Sequence, residues 1–90
     1  MVKRTFRITN ENGIHARPAT TLVNEAVKYD SDVKLTAFKK TVDFKSIMGV
    51  MSLGIYSGTT IEIKAEGPDE DKAAAGLAMI ICELGLGVEI

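Results

Sequence analysis

The chain has 90 residues, 46% of them hydrophobic and 26% charged, with only two prolines. That is enough for one domain over residues 1–90 and too little for two cores; disorder and collagen-like order are both excluded. Eleven basic against twelve acidic side chains leave a net charge of -1, so the bulk positive field of a nucleic-acid binder is missing. The single cysteine excludes an internal disulfide and a cysteine-based zinc site. Cys82 lies in an apolar helical run and reads as inert core. Met1–Phe6 holds no apolar stretch of signal-peptide length, and no run approaches the ~20 apolar residues of a membrane span. A cytoplasmic protein without membrane insertion is expected.

Val2, Phe6 and Ile8 alternate with Lys3, Thr5, Arg7 and Thr9, the period of a half-buried strand. Arg4 breaks the apolar set and belongs near a sheet edge or end. Asn10-Glu11-Asn12-Gly13 is turn chemistry. From Ala16 the period becomes helical, with Ala19, Leu22, Val23, Ala26 and Val27 on one face, ending near Tyr29. Val33, Leu35 and Ala37 mark a second strand, Lys39-Lys40 a hairpin tip, and Val42 and Phe44 a third strand. Ser46 caps a short apolar helix from Ile47 to Leu53. Ile61, Ile63 and Ala65 make a fourth strand, and Asp69 caps a last helix with Ala73, Ala74, Leu77, Ile80, Ile81 and Leu84 inward. Gly85 suits the C′ position of that helix, and the tail to Ile90 is expected to fray. Each strand has one apolar and one polar face, so the fold class is α+β, a two-layer sandwich with helices on one side of the sheet.

The only histidine is His15, in Gly13-Ile14-His15-Ala16-Arg17-Pro18-Ala19. It stands where a turn feeds the first helix. Pro18 belongs in a first helical turn, where its missing N–H has no bond to lose. The amides of Ala16, Arg17 and Ala19 are expected to lack helical partners, and with the dipole they form an anion site. A phosphoryl group taken up by a His15 ring nitrogen would lie against those donors and the Arg17 guanidinium. A histidine serving only as a cap or surface residue is the plainer reading of the spacing. No second His or Cys stands near to complete a metal site, and no cofactor-binding pattern is present. Ser46 reads first as an N-cap, although a phosphate there would sit at a helix N-terminus. Ile47, Met48, Val50 and Met51 cannot all be buried on one short helix. Val50 suits the core, and Met48 or Ile47 forms an exposed apolar edge fit for docking.

The segment Gly13–Ala19 resembles the active-site signature of HPr, the histidine-containing phosphocarrier family of the bacterial sugar phosphotransferase system. Lys45-Ser46-Ile47-Met48-Gly49-Val50-Met51-Ser52-Leu53-Gly54 resembles that family's regulatory serine segment, and the likeness spans essentially the whole chain. It implies an open-faced sandwich of three helices on a four-stranded antiparallel sheet in the order 1-4-2-3, an order that pattern alone leaves open. It also implies a carrier rather than an enzyme. His15 would accept a phosphoryl group on Nδ1 from phospho-Enzyme I and pass it to sugar-specific IIA domains, with Arg17 and the Ala16 and Arg17 amides holding the phosphate. The resemblance makes Ser46 a target of HPr kinase/phosphorylase and the Ser-phosphorylated form a corepressor for a catabolite-control transcription factor. Thr20, Ile47, Met48 and Met51 fall at partner-contacting positions. The rival function is a regulatory interaction module acting mainly through phospho-Ser46. Departures from the family pattern include Phe44 for a common Leu, Lys39-Lys40 for an Asn-Gly-Lys style turn, and Gly76 inside the last helix.

Overall fold

The computed structural model describes residues 1–90. Its elements run β1 (Val2–Ile8), α1 (Ala16–Ala26), β2 (Asp32–Ala37), β3 (Lys40–Asp43), α2 (Ile47–Ser52), β4 (Thr60–Glu66), α3 (Glu70–Glu83) and β5 (Gly87–Glu89). The strands form one antiparallel sheet in the order β3-β2-β4-β1-β5. The first four keep the expected 1-4-2-3 arrangement, but the sheet has five strands, not four. The tail expected to fray supplies the fifth: Phe6, Arg7 and Ile8 pair with Glu89, Val88 and Gly87. Three residues between Gly85 and Ile90 carry too short a pattern to read as a strand, and only β1 supplies their partner.

Alternation puts Phe6, Ile8, Val33, Leu35, Ile61 and Ile63 on the helix side, each at most 3% exposed. Lys3, Arg7, Lys34 and Lys64 point from the other face, which no helix covers. Leu22 and Val23 from α1, and Leu77 and Ile81 from α3, close over the apolar side. Phe44 is fully buried, so the larger side chain is accommodated in the core. Arg4 lies on the helix side at the margin, where its guanidinium donates to both Glu89 carboxylate oxygens at 2.6 and 2.8 Å. A charge there is tolerated because it is partnered and still reached by solvent.

Three local expectations need correction. The hairpin tip is Phe38-Lys39 rather than Lys39-Lys40, since Lys40 already pairs with Ala37. The Asp69 side chain does not cap α3. Its carboxylate instead accepts from the Asp30 amide at 3.0 Å and from the amide and hydroxyl of Ser31. It thus ties the α1–β2 turn to the start of α3. Cys82 is exposed, because it falls on the outer face of α3 while its neighbour Ile81 is fully buried.

Gly76 is the helix-weakening residue whose presence the periodicity left unexplained. A β-carbon there would collide with the Tyr29 hydroxyl and the Glu25 carboxylate, which meet over it in a 2.6 Å hydrogen bond. The missing side chain lets α1 and α3 approach.

The topology gathers one end of the molecule. β4 runs antiparallel to both β1 and β2, with Thr60 opposite Arg7 and Glu62 opposite Thr36. The exits of β1 and β2 and the start of β4 therefore share an end with the β1–α1 turn that carries His15.

Candidate phosphoryl-accepting site

The turn after β1 is held before the helix begins. Asn10 accepts the Gly13 amide on its carbonyl at 3.0 Å and donates from Nδ2 to the Gly13 carbonyl at 2.9 Å. Gly13 has φ 63, and a β-carbon there would run into the Ile55 carbonyl and the Tyr56 backbone. Both the left-handed torsion and the close approach demand glycine. The next amide, that of Ile14, donates to the Ile55 carbonyl at 3.1 Å, and the Ile14 side chain is buried. His15 thus emerges from two anchored residues, exposed itself.

His15 is the N-cap of α1, in an extended conformation with φ -88 and ψ -172, and its side chain makes no capping hydrogen bond. Its carbonyl accepts the Ala19 amide at 3.0 Å, so Ala19 is not among the free donors, contrary to expectation. Pro18 has no N–H and is buried as the third helical residue. The unsatisfied donors reduce to Ala16 and Arg17, the two residues that follow His15. Arg17 adopts helical geometry despite preceding a proline, so the helix overrides the pre-proline bias. The Arg17 side chain is exposed and takes part in no salt bridge within the chain.

The other wall comes from the end of α3. Gly85 has φ 64 and donates to the Cys82 carbonyl at 3.1 Å, while the Leu86 amide reaches the Ile81 carbonyl at 2.9 Å. This is a Schellman ending, with Ile81 and Leu86 both buried. The Leu86 carbonyl then accepts the amides of Thr9 and Asn10 at 2.9 and 3.1 Å, docking the helix end onto the turn. Between them lies a cleft of about 210 Å³, lined by His15, Arg17, Pro18, Thr21, Leu84 and Leu86. A larger hollow of about 580 Å³ runs between α3 and the β1–β5 edge, past Met79, Cys82 and the Arg4–Glu89 pair. Chemistry rather than size decides between them: only the smaller one combines an imidazole with a guanidinium that has no partner in the chain.

Thr20 is exposed on the next turn of α1, its hydroxyl donating to the Ala16 carbonyl at 2.9 Å. Ser46 is half-buried as the N-cap of α2, and its Oγ accepts the Gly49 amide at 3.0 Å. Val50 is 2% exposed, whereas Met48 is 81%, Ile47 40% and Met51 39% exposed. α2 packs against α1 and β3, which places this apolar edge on the helical side of the molecule. Sequence reasoning missed Asn10, Ile55, Leu84 and Leu86 as parts of the site. Asn10 left a trace in its turn chemistry; Ile55 and Leu86 are apolar residues of the core, and Leu84, expected inward on the last helix, is 48% exposed.

The model of the PTS HPr component phosphorylation site matches residues 2–83. The chain belongs to the HPr phosphocarrier family. Among solved HPr structures, the histidine-containing phosphocarrier protein of a Mycoplasma is 38% identical with a TM-score of 0.93, covering 96% of this chain and 98% of that one. HPr from Bacillus anthracis is 40% identical at a TM-score of 0.82, covering 88% and 94%. Crh, a Bacillus subtilis catabolite repression protein solved as a swapped dimer, is 41% identical at 0.72, covering 92% and 95%. HPr proteins are carriers within a phosphotransferase system and not catalysts, and Crh shows that HPr-like chains also take regulatory roles. No helix of this HPr is long and apolar enough to cross a membrane.

Proposed function

We propose that this HPr carries a phosphoryl group on His15, received from phospho-Enzyme I and passed to sugar-specific IIA domains in the cytoplasm. The observation that supports it most is the solvent-facing imidazole at the start of α1, beside two unpartnered amides and a guanidinium with no internal partner. As the P–N bond to the donor histidine breaks, a bond forms from phosphorus to Nδ1 of His15, with the two nitrogens roughly in line. The negative charge of the transferred group is met by the Ala16 and Arg17 amides and the Arg17 side chain. Because the site is open to solvent, screening keeps that stabilisation modest, as a carrier that must release its cargo requires. Thr20, Ile47, Met48 and Met51 seat the partners in this reading.

Ser46 is the regulatory residue, phosphorylated by an HPr kinase/phosphorylase. Added charge at the rim of the docking face opposes an acidic Enzyme I surface, and the modified form serves a catabolite-control transcription factor. The likeness to Crh favours a second reading, in which regulation through phospho-Ser46 is the main role. Acid separates the two, since phosphohistidine hydrolyses quickly in acid and phosphoserine survives. Incubation with Enzyme I and phosphoenolpyruvate should give an acid-labile modification that His15→Ala abolishes. Labelling that persists in His15→Ala would end the carrier reading.

A further inference from the structure

The β2–β3 tip is a two-residue turn with both central residues in the left-handed region, Phe38 at φ 54 and Lys39 at φ 65. That is type I′ geometry, which favours Asn and Gly; a bulky aromatic at its first position is held against a steric penalty. Core packing does not explain Phe38, which is 46% exposed. Its ring stacks on that of Tyr56, with centroids 5.4 Å apart and planes at 26°. Tyr56 is itself largely exposed, and its hydrogen bonds run through its backbone, to Thr59.

The segment joining α2 to β4, which contains Tyr56, is the wall behind the His15 turn. Its Ile55 carbonyl holds the Ile14 amide, and Gly13 lies against Ile55 and Tyr56 too closely for a methyl group. The far end of the segment is tied to β1, with Gly58 donating to the Ile8 carbonyl at 2.7 Å and Ile8 to the Thr59 carbonyl at 2.8 Å. Ile55 itself is anchored by its buried side chain in the core, and the aromatic stack adds a tether from the next residue, Tyr56, to the β2–β3 tip. From Phe38 to His15 the route is one ring stack, one residue of backbone, one hydrogen bond and one further residue.

We propose that the Phe38–Tyr56 stack is a positioning clamp for phosphoryl transfer, fixing the Ile55 carbonyl that aims His15. The strained turn is retained because it presents the ring that Tyr56 needs. The transfer half of this inference rests on His15 being the phosphoryl acceptor; the clamp itself does not.

The test is the double variant Phe38→Asn/Lys39→Gly, which relaxes the turn and removes the ring, with Tyr56→Ala and Tyr56→Phe beside it. Hydrogen exchange of the Ile14 amide, read against the Leu35 amide as a monitor of global opening, should quicken about tenfold in the double variant and in Tyr56→Ala. The maximal rate of transfer from phospho-Enzyme I should fall about tenfold at unchanged KM for this protein, and Tyr56→Phe should recover what Tyr56→Ala loses. Unchanged Ile14 exchange and unchanged transfer in the double variant overturn the clamp. A raised KM at unchanged maximal rate also overturns it, and makes the pair part of a docking surface. Failure of the unaltered protein to be labelled on His15 defeats the carrier reading instead, and Ile14 exchange still decides the clamp.

Discussion

At the scale of single residues, the candidate site separates side chains that act on the phosphoryl group from those that hold the turn. Arg17 is of the first kind in the proposed mechanism: it is exposed and unpaired, so its removal takes little from the fold. Arg17→Ala should slow phosphorylation by Enzyme I by about tenfold, a loss scaled down from buried oxyanion donors because this site is screened. Its thermal midpoint should stay near that of the parent. Equal rates in a stopped assay of label transfer would remove Arg17 from the mechanism. Gly13 belongs to the second kind. Gly13→Ala forces a β-carbon into the Ile55 carbonyl at a left-handed torsion, so a loss of about 2 kcal/mol or more is expected in urea unfolding.

Among the elements, α2 and α3 give the sharpest expectations. Removing the Ser46 oxygen leaves the Gly49 amide without its partner, and Ser46→Ala should cost about 1 kcal/mol. Ser46→Asp keeps an acceptor at the cap while adding charge. Its stability should match the parent while phosphorylation of His15 slows, which separates regulation from folding. In α3, intrinsic propensity alone would make Gly76→Ala stabilising by about 1 kcal/mol. The added methyl must instead displace the Tyr29–Glu25 hydrogen bond, so chemical denaturation should show no gain. A full 1 kcal/mol increase would mean that the α1–α3 contact yields freely.

For the molecule as a whole, the carboxylates held by hydrogen bonds in the fold set the response to acid. Hydrogen bonds from the Ser31 hydroxyl, and then from the Asp30 amide, hold Asp69 below its ordinary value. Tyr29, followed by Lys28, does the same for Glu25. A carboxylate with a lowered folded pKa stabilises the fold above its unfolded value and loses that contribution as pH falls through the folded one. Stability should therefore hold at neutrality and decline below about pH 4.5, near the ordinary value of Glu25. Asp69→Asn should lower the thermal midpoint at pH 7 and flatten the acid limb; an unaltered limb would place its origin elsewhere. Tyr29 is raised above 10.0 by the same Glu25 bond, so its contribution is present below that pH and is lost above it.

What the linear chain determined by itself lies within a few residues of each position. Alternation marked β1, β2 and β4, the helical period marked α1 and α3, Ser46 announced its cap, and Asn10–Gly13 followed by Pro18 announced the turn that feeds α1. These follow from contacts at separations of two to four residues, which composition and spacing record directly. Tertiary structure alone decided that the tail becomes β5, that Asp69 reaches back 38 residues to Ser31 rather than capping its own helix, and that Leu84 and Leu86 wall the His15 cleft. Each is a pairing between distant segments whose residues look locally like something else. A side chain takes the partner that the folded geometry brings nearest, and that geometry is fixed by the whole core at once.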